Sequence, residues 1–493
     1  MTILQFPTPA SPSESFEVTG PLPRGMTLLE ASAGTGKTFT IAALTARYIA
    51  EAKKPIDKLL VITFTRMATG ELRERVRDRL VSAHDGLTAV LDGADAPEND
   101  QIVRSLANVP DAERVARRDR LAKAIADFDA ATIETTHGFC LQVLYGLGTA
   151  GDVDREVTLV EDVRDLMEEV VDDLYLRKFA QRGIDPDFSR KDALEIARKV
   201  LDHPAAALFP PWSDAEDPSA VRRRFAQKVR EELDRRKRAQ KILTYDDVLI
   251  RLRDTLRDPL RGAQARSVLR NRYDVVLVDE FQDTDPVQWE IMHQAFGGPG
   301  STLVLIGDPK QAIYAFRGAD VDAYLQASRV VEDRWTLDEN WRSDAQLLRA
   351  YDELFSNSRL GHPDIAYRHT RAAPPNVTPR LVGAPVSAPL RVRIVHRGDG
   401  LVDAGGQGLL VTADARKAIA ADLAAQTVEL LQAKPTIIRR RRDGTDAGEE
   451  ELNPGHIAVL VRSNKEAFIV RDALHEVDVP AVIGGAGSVF LAE

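Results

Sequence analysis

The sequence predicts an α/β protein: a doubly wound parallel sheet that carries a large helical insertion and leads into a second α/β unit. Three observations predict it. Short apolar runs recur along the 493 residues, each leading into a helical pattern, and strands that alternate with helices build parallel sheets. The runs are continuous rather than alternating, as strands buried on both faces must be. The intervals between them are uneven, and a connection far longer than a simple crossover holds a domain of its own.

Composition agrees. Hydrophobic residues make up 44% and charged residues 29%, the balance of a globular chain long enough for about three domains. No apolar run reaches the ~18 residues of a membrane span, and the first twenty residues lack a basic stretch with an apolar core, so no secretory signal is expected. The single cysteine, Cys140, excludes an internal disulfide and a cysteine-based zinc site and fits a reducing, cytoplasmic setting. The net charge is −10. That describes the whole surface and leaves a local basic groove open.

Taken in order, residues 1–14 are rich in Pro, Ser and Thr and predict a loose arm. The first strand is Thr27–Glu30, followed by a helix over Phe39–Ala50. Leu59–Thr63, Ala131–Glu134, Asp274–Val278 and Thr302–Ile306 complete the strands of the first sheet. Residues 64–130 and 135–273 lie between them and are mostly helical in pattern. Val221, Phe225, Val229 and Leu233 form one stripe of an amphipathic helix. From Val221 to Lys241 there are ten Lys/Arg against three Asp/Glu, read either as a DNA-tracking surface or as a solvated helix face. After Trp335 a second α/β unit is expected, with strands at Leu390–Val395 and Ile457–Val461. Arg439–Arg442 and the acidic run ending in Glu449–Glu451 predict an exposed loop of cancelling charge.

The strongest local signal is Ala31-Ser32-Ala33-Gly34-Thr35-Gly36-Lys37-Thr38, set between a strand and a helix. This is a P-loop with Ala at its first glycine position. Backbone N–H groups at a helix N-terminus wrap phosphates, and glycine lets the loop bend around them. Lys37 is expected to reach the β- and γ-phosphates of ATP, and Thr38 to ligate Mg²⁺. The complementary half is a strand ending in carboxylates, Val275-Val-Leu-Val278-Asp279-Glu280. Asp279 is the second metal-holding candidate and Glu280 the general base for an attacking water.

Three further segments narrow the class: Thr63-Phe-Thr-Arg-Met-Ala-Thr-Gly-Glu71-Leu-Arg-Glu-Arg75, Asp279-Glu-Phe-Gln-Asp-Thr-Asp285, and Gly307-Asp-Pro-Lys-Gln311-Ala-Ile-Tyr314-Ala-Phe316-Arg317-Gly318-Ala-Asp320. In this order they resemble motifs Ia, II and III of superfamily 1A helicases, the UvrD/Rep group. Thr136-His137-Gly138-Phe139 resembles the motif between Ia and II, and Asn340-Trp341-Arg342-Ser343 resembles motif IV. Within the group the likeness is to the RecB family, the beta subunits of RecBCD helicase-nucleases (exodeoxyribonuclease V). Phe16–Gly25 leading into the P-loop is RecB-like, and no glutamine lies between Pro7 and Lys37 where UvrD proteins carry a glutamine motif.

The resemblance implies a RecA-like P-loop NTPase core and a 3′→5′ DNA helicase motor that uses ATP and Mg²⁺. It implies that Gln311 contacts the γ-phosphate, that Arg342 stabilises transition-state charge and that Trp341 stacks on adenine. Phe64, His137, Tyr314, Phe316 and Arg317 would meet single-stranded DNA, with Thr63 and Thr65 on its phosphates. Partners implied are single-stranded and duplex DNA and RecC-like and RecD-like subunits, with no membrane. An aromatic beside an arginine, as at Phe316-Arg317, independently suits sequence-tolerant stacking. Core packing of Phe316 and Tyr314 and a structural role for His137 stay open. So does a structural role for the acids of Thr244-Tyr-Asp246-Asp247.

The expected domains are a flexible arm (1–14), a first RecA-like motor domain (15–144 and 242–332), a helical insertion (145–241) and a partial second RecA-like domain (333–493). No Ala-Leu-Thr-Arg-Ala run of motif VI follows Arg342, and no motif V or nuclease-like carboxylate–lysine cluster is visible. A slow or inactive isolated chain is therefore expected. The competing readings are another UvrD-like or AddA-like repair helicase, and a non-catalytic module that binds DNA or partners.

Overall fold

The computed structural model describes residues 14–148, 156–179, 187–215, 217–314, 319–394, 411–441 and 444–484. The strands, in chain order, are β1 (Glu14–Ser15), β2 (Met26–Ala31), β3 (Leu59–Thr63), β4 (Thr132–Thr135), β5 (Thr158–Leu159), β6 (Ile242–Leu243), β7 (Val275–Val278), β8 (Thr302–Gly307), β9 (Asp333–Leu337), β10 (Glu339–Asn340), β11 (Arg371–Ala372), β12 (Leu381–Val382), β13 (Thr436–Arg440) and β14 (Asp446–Glu451). The chain forms two compact units. One runs to Ser32 and resumes over Gly36–Leu337; the other comprises Ala33–Thr35 and the residues from Asp338 onward.

The first unit is built on a seven-stranded sheet in the order β1-β9-β2-β8-β7-β3-β4, with every pairing parallel. Its central strands are apolar because both faces are covered. Every residue of β2, β3 and β7 is buried. The helix Lys37–Ala50 buries Ile41, Leu44 and Ile49 in the same core as Leu29 and Val61. Parallel strands aim their carboxyl ends at one edge, where ligands of open α/β sheets bind. The P-loop, Asp279, Glu280 and Asp308 all follow such ends.

The strands expected for this sheet form within a residue or two of their sequence limits. One boundary moves. Asp333–Leu337 pairs with both β1 and β2, so the first sheet reaches five residues past 332. The run Asp-Arg-Trp-Thr-Leu has no continuous apolar stretch, and only its pairing with the neighbouring strands assigns it to this sheet.

The insertion has its own core. Helices Arg164–Phe179, Arg190–Asp202 and Pro218–Ala239 pack around Met167, Val170, Ala197 and the stripe Val221, Phe225, Val229 and Leu233. The short β5–β6 pair accompanies them. Asp217 starts the long helix by accepting from the Ser219 and Ala220 N–H groups, with Pro218 at its first position.

In the second unit, β12, β13 and β14 form an antiparallel sheet. The expected loop at Arg439–Glu451 is thus a hairpin. Its opposite charges lie across from one another, with Arg439 paired to Glu450 and Arg440 to Asp446, which favours strand pairing. Helices Thr412–Gln432 and Asn464–His475 pack through Ala424, Leu474 and Val479. The expected strands at 390–395 and 457–461 are not strands in the described residues, and residue 395 lies outside them. Leu460 is 96% exposed. An apolar run becomes a strand only when a neighbour supplies its hydrogen bonds.

Candidate functional site

Gly36 caps the helix that begins at Lys37 and sits at φ 88°, and Gly34 at φ 81°. Both are left-handed conformations that a side chain resists. They bend the P-loop and leave the helix N-terminus bare for an anion. Thr38 lies half-buried in the first turn.

Lys37 meets the strand-end carboxylates. Its Nζ lies 2.5 Å from Glu280 Oε2, which joins two groups 243 residues apart in sequence. Glu280 is itself in a left-handed conformation, φ 49°, an uncommon state for a residue with a side chain and one found at functional sites. Gln282 Nε2 donates to the same Glu280 oxygen at 2.7 Å, and Gln282 Oε1 accepts the Asp308 N–H at 2.9 Å. Asp308 accepts from Gln311 Nε2 at 2.7 Å and lies 2.7 Å from Lys310 Nζ. Lys310 also faces Glu30 at 3.6 Å. The general-base candidate and the γ-phosphate candidate are therefore ends of one polar chain: Glu280, Gln282, Asp308, Gln311.

That chain is dry. Gln282, Asp283 and Asp308 are all at most 5% exposed. Burial, with Glu280 beside it, pushes the Asp279 carboxyl up to about 6, and the same causes push Asp283 up to about 6. A buried carboxylate held against ionisation gains most from a cation. Asp283 Oδ1 and Thr63 Oγ1 are buried without a hydrogen-bond partner among the described residues. These donors suit Mg²⁺, which needs only one or two carboxylates and keeps waters. Among the described residues no group of three or more His, Cys, Asp or Glu is gathered as a metal cage.

In the second unit, Asn340 does work that sequence reading did not give it. Its Nδ2 donates to the Ala33 carbonyl at 2.9 Å, and its Oδ1 accepts from the Arg342 and Ser343 N–H groups. The Trp341 N–H donates to the Gly34 carbonyl at 2.8 Å. A Cβ on Gly34 would fall 2.6 Å from Arg342 Cβ. The segment Asn340–Ser343 is thereby stapled to P-loop residues 33–35. Gln282, Asp308 and Lys310 were likewise quoted in motifs without a role. Their signal was a position within four residues of the carboxyl end of a buried strand.

On the face expected to meet DNA, Phe64 and Tyr314 stack with centroids 5.3 Å apart and planes at 29°. His137 meets Tyr245 edge-on at 5.4 Å, and Arg66 donates to the Tyr245 hydroxyl at 3.2 Å. Burial lowers the His137 pKa and favours the neutral ring. Thr65 is exposed and caps the helix Arg66–Leu91. Thr63 is 1% exposed, beneath this face rather than on it. Phe316 and Arg317 lie outside the described residues. Asp247 is structural: it takes part in a capping box with Thr244 and pairs with the buried Lys237.

A family model of the UvrD/REP helicase N-terminal domain matches residues 14–332. The chain belongs to the UvrD/REP helicase family. Its relatives include proteins named RecBCD enzyme subunit RecB. That of Mycobacterium tuberculosis H37Rv is 44% identical over 486 residues, covering 97% of this chain and 42% of the relative. That of Mycolicibacterium smegmatis is 44% identical over 482 residues, with the same coverage. That of Escherichia coli K12 is 28% identical over 592 residues, covering 95% of this chain and 49% of the relative. The chain spans less than half the length of these relatives. Membership in the UvrD/REP family agrees with the α/β core and with the polar chain that joins motifs II and III. No helix among the described residues is long and apolar enough to cross a membrane.

Proposed function

We propose that this chain is the ATP-hydrolysing motor portion of a RecB-type DNA helicase, translocating 3′→5′ on single-stranded DNA in the cytoplasm as part of a RecBCD-type break-repair complex with RecC-like and RecD-like partners. The observation that carries the reading is the junction of Lys37, Glu280, Gln282, Asp308 and Gln311, which links the P-loop to motif III through one hydrogen-bonded path.

Residues Ala31–Thr38 would hold the phosphates, Trp341 would stack on adenine, and Thr38 and Asp279 would hold Mg²⁺. Bound Mg²⁺ supplies neutralisation of phosphate charge. Lys37 is held by Glu280 and must leave it to face a phosphate. That release frees the Glu280 carboxylate to accept a proton from water while Gln282 keeps it oriented. Gln311 and Arg342 are the candidates for sensing and stabilising charge at the γ-phosphate. Phe64, Tyr314 and His137, with Phe316, Arg317, Thr63 and Thr65, are the proposed DNA contacts. Burial makes His137 a neutral ring and turns the Thr63 hydroxyl inward.

The test is ATP turnover with and without single-stranded DNA, alongside displacement of a block from the 3′ or the 5′ end of an oligonucleotide. DNA-stimulated turnover that releases only the 5′ block fits 3′→5′ movement. DNA binding without any nucleotide turnover would instead favour a non-catalytic module.

A further inference from the structure

The long insertion helix Pro218–Ala239 divides its charges unevenly. In its last turns, from Arg235 to Arg238, the cations have partners: Arg235 and Arg236 pair with Glu232, Arg236 also with Asp173, Lys237 with Asp247 and Arg238 with Asp234. Those turns are a structural ion network. Arg223 in the amino half and Arg230 just past the middle have no carboxylate partner among the described residues, and both Nε atoms are buried without a hydrogen bond. They are seven residues apart and so lie on one helix face. Burial and the neighbouring Arg223 charge lower the Arg230 pKa, as expected of two cations held together without an anion.

Arginines fix a loop onto this face. Arg230 Nη2 donates to the Ala206 carbonyl at 3.0 Å, and Arg224 Nη1 donates to the Ser213 and Ala215 carbonyls at 2.8 and 2.7 Å. The loop presents Trp212, 56% exposed, and Phe209, 86% exposed. The Arg223 guanidinium lies 5.0 Å from the Trp212 ring centroid. An exposed aromatic backed by a cation, with a second uncompensated guanidinium nearby, offers a base a stacking surface and a phosphate its counter-charge.

We propose that Phe209, Trp212, Arg223 and Arg230 form a second single-stranded nucleic-acid site, on the helical insertion and separate from the Phe64–Tyr314 face. The site rests on the reading of the chain as a DNA motor and adds a contact to it. It recognises unpaired bases through Trp212 and Phe209 and the backbone through the arginine pair. Because stacking needs splayed bases, it discriminates against duplex and against anions without bases.

The experiment measures equilibrium binding of an oligothymidylate, a blunt duplex and inorganic polyphosphate to the full chain and to Trp212→Ala, Phe209→Ala and Arg223→Gln proteins. Trp212→Ala is expected to weaken oligothymidylate binding about tenfold and to leave duplex and polyphosphate binding unchanged. Arg223→Gln weakens all three ligands. ATP turnover at saturating single strand stays at the wild-type rate in each variant. Equal oligothymidylate affinity in wild type, Trp212→Ala and Phe209→Ala overturns the site. So does an equal loss for duplex, which would mark a backbone contact only. A wild-type chain that binds no oligothymidylate fails both this site and the motor reading. Binding weakened by Phe64→Ala but not by Trp212→Ala fails this site alone.

Discussion

Two clusters of charge in this molecule meet opposite fates. At the carboxyl ends of β2, β7 and β8, Lys37 pairs with Glu280 and Lys310 faces Glu30 and Asp308, with Asp279 and Asp283 beside them, and Glu30, Asp283 and Asp308 are buried. On the hairpin β13–β14, arginines and glutamates face each other in the open. Burial raises the Asp279 and Asp283 pKa values to about 6. The Arg439 hydrogen bond instead holds the Glu450 carboxyl below its ordinary range. The same residue types thus store unfavourable desolvation in one place and make a solvated cross-strand pair in the other. A site that is to bind a cation benefits from the first arrangement, because Asp279 and Asp283 are held against ionisation and gain most from a counter-charge.

The largest expected effect breaks the buried cluster at its centre. Lys37→Ala removes both the proposed phosphate contact and an ion-pair partner of Glu280, and ATP turnover should fall to background with nucleotide affinity reduced; undiminished turnover would sink the assignment. Glu280→Gln separates the two roles. Its amide still fills the site, so nucleotide binding measured by fluorescent-analogue titration should persist while hydrolysis is lost.

Next comes a buried pair outside the site. Lys237→Ala leaves Asp247 facing a low-dielectric pocket, and denaturant unfolding should show a loss of about 3–5 kcal/mol. Lys237→Met, which refills the volume, should not exceed that loss. A shift no larger than that of a surface lysine would mean that Asp247 is solvated after all.

Asp279→Asn should act with the opposite sign. The folded pKa of Asp279 is raised above its ordinary value, so the folded state binds the proton more tightly. Stability from this group is therefore present at low pH and lost as pH rises toward about 6. Without Mg²⁺, Asp279→Asn should be more stable than wild type by about 1–3 kcal/mol above that pH. The gap should close between about 6 and about 4, the ordinary aspartate range. A gap independent of pH would trace the change to packing. At the small end, Arg439→Ala on the exposed hairpin should leave the thermal midpoint within measurement error, since a screened surface pair contributes little.

Much of this was readable beforehand. Leu59–Thr63 is a strand over the residues its apolar run marked, and the helical stripe at Val221 to Leu233 is buried as its period required. The P-loop and Asp279-Glu280 stood out because phosphate chemistry demands glycines, a lysine and carboxylates at fixed places beside strands. The hairpin at Arg439–Glu451 was misread because blocks of opposite charge look like a solvated loop until they are seen to lie opposite each other. Ile457–Val461 failed in the other direction, having the residues of a strand but no paired neighbour among the described residues.

The sequence by itself marked the buried strands of the first sheet and the residues proposed for phosphate chemistry, because apolar periodicity and motif spacing are local properties of the chain. Only the tertiary structure decided the rest. It brought Lys37 to Glu280 across 243 residues, threaded Gln282 between Glu280 and Asp308, tied Asn340 to Ala33, and left Arg223 and Arg230 without acids among the described residues while supplying them to Arg235–Arg238 of the same helix. Those outcomes depend on contacts between residues remote in sequence and on how much water each contact excludes. Neither is encoded in any short window of the chain.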